Sequence, residues 1–214
     1  MRAIIAILLL AVLFIAGCGE RREAIEIKGS NTMLQLGQAW AEDYISKSDT
    51  NLIISGEGSG VGIAAMINGT TDIAESSREI NAEEIERAKA KGVNPVQFIV
   101  AWDGLAIIVN PRNPVKKLTM EQLRSIYLGN IKNWKEIGGL DEEVVLHTRD
   151  TASGTHQYFK EHILRKGDPK GKEEFPRTAI VDTSSQAAVQ SVAQDIGGIA
   201  YVSLGYINSR VAPV

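Results

Sequence analysis

Short β-prone runs alternate with stretches of helical periodicity along almost the whole chain, and that alternation limits the folds open to it. Residues 23–28, 51–55, 71–74, 96–101, 105–110, 144–146, 179–181 and 199–202 read as strands, rich in Ile, Val and Leu. Residues 33–46, 59–67, 82–91, 120–128, 155–166 and 186–194 read as helices, most of them opened by Ser, Thr or Asn and several closed by Gly. Strands alternating with helices argue an α/β fold with mostly parallel sheets. In such sheets ligands bind outside the carboxyl ends of the strands, where loops lead into helices. Four of those loops are rich in glycine and hydroxyl side chains: 29–32, 56–62, 149–155 and 182–185. The Pro111-Arg112-Asn113-Pro114 turn separates the first two from the last two and reads as a crossing between lobes. Anion donors on both sides of a crossing predict a cleft that closes on a ligand.

The stretch 144–159 (VVLHTRDTASGTHQYF) concentrates this chemistry. A β-prone run empties into a polar loop holding Arg149 and Asp150, and Ser153-Gly154-Thr155 then opens a helix. A helix start offers unpaired N–H groups and partial positive charge. Glycine admits close approach, two hydroxyls add donors, and a guanidinium supplies a planar fork that fits an oxyanion. The plainer reading is an ordinary N-cap, with Ser153 or Thr155 satisfying its own helix. The recurrence of the device in other loops favours the anion cradle. Gly56 to Gly62 lacks the lysine of a nucleotide-binding P-loop and reads as a shorter oxyanion loop.

A formal net charge of −3 argues against a nucleic-acid binder, so an anionic ligand would be held by local dipoles rather than by the global field. At the N-terminus, Met1-Arg2 precedes an apolar run too short for a span of about 20 residues, ending in Ala16-Gly17-Cys18. Residues 1–17 are expected to be a signal peptide cut so that Cys18 becomes a lipidated N-terminus, with 18–24 as a polar tether. A plain signal peptide or an uncut anchor are the alternatives. Cys18 is the only cysteine, so no internal disulfide is possible. The mature domain is expected outside the cytoplasm, anchored to a membrane surface.

Four segments carry a family resemblance. GSNT at 29–32, GEGSGVGIAAMINGTTDIAESSRE at 56–79, WDGLAIIVNPRNPVKKLTMEQLRSIYLGNIKNW at 102–134 and RDTASGT at 149–155 resemble the phosphate-binding proteins of ABC importers. The resemblance runs from Ile25 to Ile207. It implies a two-lobed periplasmic-binding-protein-like (type II) fold, with lobe 1 over 25–109, lobe 2 over 110–204 and a return toward lobe 1 over 205–214. It also implies one dehydrated phosphate between the lobes, delivery to the permease subunits of an ABC importer, a monomer, no cofactor, no metal and no chemical change to the ligand. The family's ligand positions fall on Ser30, Asn31, Thr32, Ser59, Ser77, Arg149, Ser153, Gly154 and Thr155. A buried phosphate needs such a set of fixed donors in place of its water shell.

Two departures from the family pattern matter. The carboxylate that ends the third strand in well-known members, and accepts the proton of phosphate, is replaced by Ser77 followed by Arg78. Glu57, Glu75, Asp103 or Asp150 could supply an acceptor instead, and sulfate-like oxyanions become alternative ligands. Arg78 is either a second anion contact or a rim ion pair. The sequence also stops at Val214, soon after the last strand, where relatives usually continue.

The rival reading is a hydrolase or phosphatase built on Ser153 and His156, flanked by His147 and His162. It needs a histidine base within reach of the serine and a carboxylate to orient it, and no nucleophile elbow surrounds Ser153. The histidines lack zinc-like spacing. A binding fold that lost its ligand is a third possibility, opposed by the intact 149–155 loop. Trp40, Trp102 and Trp134 are expected to serve packing.

Overall fold

The computed structural model describes residues 24–168 and 170–214. The signal peptide, Cys18 and nearly all of the tether expected at the N-terminus therefore lie outside the described residues. Among the described residues no helix is long and apolar enough to cross a membrane.

The alternation folds into two sheets. The first holds β1 (Ala24–Gly29), β2 (Asn51–Gly56) and β3 (Ile73–Glu75), all parallel, in the order β2-β1-β3. Parallel neighbours need crossovers, and the intervening helices supply them: α1 (Leu34–Ile45) and α2 (Ser59–Ile67). α3 (Ala82–Ala90) packs on α2, and the buried centre of this lobe is small: Ile63, Ile67 and Ala88, with Met66, Ile80 and Val93 around them.

The second sheet holds β4 (Leu105–Val109), β5 (Val145–Arg149), β6 (Ile180–Asp182), β7 (Gly198–Ser203) and β8 (Ala212–Pro213), in the order β6-β5-β7-β4-β8. β5 runs parallel to β6 and β7, whereas β4 is antiparallel to β7 and β8. All six residues of β7 are buried, as befits a strand covered on both faces. On one face α6 (Ser185–Gln194) packs Ala188, Val189 and Val192 against Ile108, Ala200 and Val202. On the other, α4 (Met120–Tyr127) and α5 (Gly154–Phe159) enclose Leu123, Tyr127, Trp134, Phe159 and Tyr201. Phe159 stacks on Tyr201 with ring centres 4.2 Å apart, and the indole N–H of Trp134 donates to Gly197 O at 2.8 Å. The helix expected over 155–166 starts as α5 and ends in a π-turn, Lys160–Leu164.

The fold class matches the sequence reading, but the lobe boundaries differ from it. β4 was expected to close lobe 1, within 25–109, yet it pairs in the second sheet. Pro111 therefore marks a turn leaving β4 rather than a linker, with Asn113 N–H closing on Asn110 O at 2.9 Å and Arg112 N–H held by the Asn110 side chain at 3.0 Å. The 205–214 segment, read as returning toward lobe 1, instead puts β8 beside β4, although the Tyr206 hydroxyl does reach back to donate to Asn31 O. The strand expected over 96–101 forms no strand and has no strand partner among the described residues, and Val96, Phe98, Ile99, Val100 and Trp102 are all exposed. Trp40 is also half exposed, so of the three tryptophans only Trp134 packs in a core.

Candidate functional site

The hydroxyl-rich loops converge because each follows the carboxyl end of a parallel strand. Loop 30–33 leaves β1, with Ser30 N–H donating to Glu75 O at 2.9 Å and Ser30 Oγ accepting Thr32 N–H at 3.1 Å. The next loop leaves β2. There Gly58 holds φ at +108°, a conformation L side chains avoid, and its own N–H and that of Glu57 donate to Gly29 O. Neither α1 nor α2 has a side-chain cap at its start. By contrast α3 and α4 carry full capping boxes on Asn81 with Glu84 and on Thr119 with Gln122. The two helices entering the cleft from the first sheet thus lack the side-chain caps the others have, although at α2 the Gly60 and Val61 N–H groups donate to Ala152 O and Gly58 O.

From the second sheet, the loop after β5 approaches the same place. Asp150 Oδ1 accepts the Ala152 and Ser153 N–H groups at 2.8 and 3.1 Å, which tightens the loop. Ser153 does cap its own helix, its Oγ accepting His156 N–H at 3.3 Å, so the plain N-cap reading is correct for that atom. Its hydroxyl hydrogen remains a donor. Besides the Tyr206 hydroxyl on Asn31 O, the lobes touch within these loops. Thr32 Oγ1 and Thr155 Oγ1 lie 2.9 Å apart, Gly60 N–H donates to Ala152 O at 2.9 Å, and Gly154 sits against Ser59 and Ser77. A Cβ on Gly154 would lie 2.5 Å from Ser59 Oγ and 2.6 Å from Ser77 Oγ, so only glycine permits this approach. Ser59 is fully buried and accepts Ser77 N–H at 3.0 Å.

Arg149 ends β5 at 2% exposure. Its guanidinium is held by neutral acceptors alone: Nε donates to Asp182 O at 3.1 Å, Nη1 to Ser185 Oγ at 3.0 Å and Nη2 to Thr183 O at 3.4 Å. Among the described residues no carboxylate forms an ion pair with it. Burial pushes its pKa below the usual arginine value, and the charge of nearby Asp150 works the other way. A buried cation without a counter-ion is costly, and an anion in the cleft would relieve that cost.

All nine expected ligand positions lie in the loops that meet here. Ser30, Asn31, Ser59, Arg149, Ser153, Gly154 and Thr155 are buried, and Thr32 and Ser77 are half-buried. Of the alternative acceptors, Glu57 is exposed and bonds Ser55, Asp103 is exposed, and Asp150 shapes its own loop. Glu75 is buried against Gly37, its Oε2 lacks a partner, and burial raises its pKa. Arg78 proves to be an ion pair: both terminal nitrogens grip Glu84, at 2.8 and 2.7 Å.

The histidines do not assemble a nucleophile. The bond between Ser153 and His156 goes to the backbone N–H, while the His156 ring lies near Thr148 Oγ1 and Tyr201 Oη, each 3.2 Å from Nδ1. Burial brings that ring's pKa down to about 4. Among the described residues no group of three His, Cys, Asp or Glu could hold a metal. Behind the site, Ser185 and the Asp182 carbonyl bond the Arg149 guanidinium, His147 bonds Asp182 and Tyr206 bonds Asn31 O; sequence reasoning marked the 182–185 run as a ligand loop and weighed His147 only as a rival catalytic group.

A family model described as a PBP superfamily domain matches residues 16–213. The structure of a putative phosphate ABC transporter substrate-binding protein with bound phosphate from Clostridium perfringens superposes with a TM-score of 0.79 at 32% identity, covering 90% of this chain and 75% of that one. The phosphate-binding protein PstS of Pseudomonas aeruginosa is 34% identical over 87% of this chain and 60% of its own length. That of Bacillus subtilis is 32% identical over 86% and 58%. The chain thus spans about three-fifths of these two relatives.

Proposed function

The chain belongs to the PBP superfamily, among the substrate-binding proteins of phosphate ABC transporters, and on that premise we propose that it captures inorganic phosphate outside the cytoplasm and hands it to an ABC importer. The observation that carries this reading is Arg149, a buried guanidinium at the end of β5, beside the loop that meets the first lobe, with only neutral protein partners. Phosphate would supply the missing counter-charge. Ser30, Asn31, Thr32, Ser59, Ser77, Ser153, Gly154 and Thr155 would donate hydroxyl, amide or backbone hydrogens to its oxygens. The lobes 25–104 and 105–214, redrawn from the sheet pairings, would close on it. The ligand leaves unchanged, so the protein is a carrier and no enzyme. Lipidation at Cys18 would hold the monomer at the membrane that contains the permease.

A second ligand class is favoured by one observation. Ser77 presents a hydroxyl, where a carboxylate would stand in well-known relatives, beside Ser59 and Gly154. A hydroxyl there, unlike a carboxylate, does not repel a fully ionised oxyanion such as sulfate. Equilibrium dialysis with labelled phosphate, with and without excess sulfate, tests both statements. Retained phosphate supports capture, and displacement by sulfate supports the broader class. No retained phosphate removes the proposal.

A further inference from the structure

His147 lies two residues before Arg149 on β5, so both side chains project from the same face of the strand. It is 3% exposed and stands between two carboxylates. Its Nδ1 is 3.1 Å from Asp182 Oδ2, at the end of β6, and its Nε2 is 3.9 Å from Asp195 Oδ2, just past α6. The other oxygen of Asp182 accepts from Ser191 Oγ at 2.8 Å. Asp182 is in register with Arg149, and its backbone carbonyl takes the Arg149 Nε hydrogen. The next residues, Thr183 and Ser185, take the two terminal nitrogens. Every acceptor of the guanidinium thus lies within the four residues 182–185. Among the described residues the side-chain hydrogen bonds that fix Asp182, the first of them, come from His147 and Ser191.

The geometry points to His147 as a positioning residue for Arg149, an assignment that rests on the anion-site reading above. His147 never touches the ligand. It holds Asp182, Asp182 starts the run that cradles the guanidinium, and the guanidinium faces the anion. A planar fork binds an oxyanion well only when its direction is fixed, so loosening the cradle weakens binding without removing a contact to the ligand.

The test compares the wild type with His147→Leu, His147→Gln and Ser191→Ala. The Arg149 Nε–H resonance is followed in protein labelled with nitrogen-15 arginine and identified by its loss in Arg149→Lys. Inorganic phosphate is titrated into each variant in parallel. His147→Leu is expected to shift the Arg149 resonance and weaken phosphate binding about tenfold. His147→Gln, which restores a donor to Asp182, should recover most of both. Ser191→Ala should give the same pattern at about threefold, and it decides the matter if His147→Leu fails to fold. An unmoved Arg149 resonance in the folded variants overturns the assignment, as does lost affinity with that resonance in place. If the wild type takes up no phosphate, the transport reading falls, and the Arg149 resonance alone still decides whether His147 positions it.

Discussion

The hydroxyls of Thr32 and Thr155 meet at 2.9 Å, one carried by the loop after β1 and the other by the first turn of the helix after β5. This bond ties together two sheets that share no strand. It also fixes how near the uncapped start of α1 comes to Arg149's loop, so the two halves of the donor set are held at one distance. The closed arrangement then depends on small side chains where the lobes meet.

Gly154→Ala tests that dependence. The added methyl would sit within 2.6 Å of Ser59 Oγ and Ser77 Oγ, forcing the lobes apart. Phosphate affinity should fall at least about tenfold, ~1.4 kcal/mol. Small-angle scattering should show a larger radius of gyration in the presence of phosphate. Affinity within about twofold of wild type would place closure elsewhere.

Arg149→Met keeps the bulk of the side chain and removes its charge. Charge-assisted hydrogen bonds are worth about 1.5–3 kcal/mol, so phosphate affinity should drop by about 100-fold. The ligand-free protein should melt within a few degrees of wild type, because a buried cation without an ion pair contributes little net stability. Calorimetric titration and thermal unfolding read the two effects separately.

Arg78→Gln separates the rim from the site. Arg78 grips Glu84, which also caps α3 through Asn81 N–H at 3.0 Å. The substitution should leave phosphate affinity within about twofold and lower stability by about 1–3 kcal/mol, the range for breaking a partly buried charged hydrogen bond. A large loss of affinity would make Arg78 a ligand contact.

Glu75→Gln should stabilise the protein at neutral pH. The carboxyl is buried, one oxygen lacks a partner, and burial raises its pKa above the ordinary glutamate value. The folded state therefore prefers the neutral form, so the ionised group costs stability above its folded pKa. That cost disappears as pH falls toward the unfolded value. Chemical unfolding at pH 7 should show a gain of about 1 kcal/mol that shrinks near pH 4.5.

His156 gives the opposite slope. Its pKa falls from 6.5 to about 4 on burial. The fold favours the neutral ring, so this contribution is fully present above pH 6.5 and is lost as pH drops toward 4, by up to about 3 kcal/mol. Urea unfolding across that range should show the decline in wild type and a flatter profile in His156→Gln.

The alternation of strands and helices, the four hydroxyl loops and the placement of Arg149 were legible because local chemistry determines them. A glycine–serine run after a β-prone run ends the strand, and a following stretch of helical periodicity makes it a helix start. The pairing of β4 was not legible. Leu105 to Val109 is apolar throughout, so either sheet could bury it, and a long-range antiparallel contact with β7 decided the matter. Residues 96–101 carry strong strand propensity, but a strand exists only with a neighbour, and these have none among the described residues. The cradle behind Arg149 was invisible for a related reason. His147 and Asp182 stand 35 residues apart and meet only because β5 and β6 lie in register.

Isothermal titration of the wild-type protein with inorganic phosphate at neutral pH tests the central claim most directly. The account predicts saturable binding of one phosphate per chain, weakened about 100-fold in Arg149→Met. A flat titration of correctly folded wild-type protein would contradict it, because the buried Arg149 would then have a purpose other than meeting this anion.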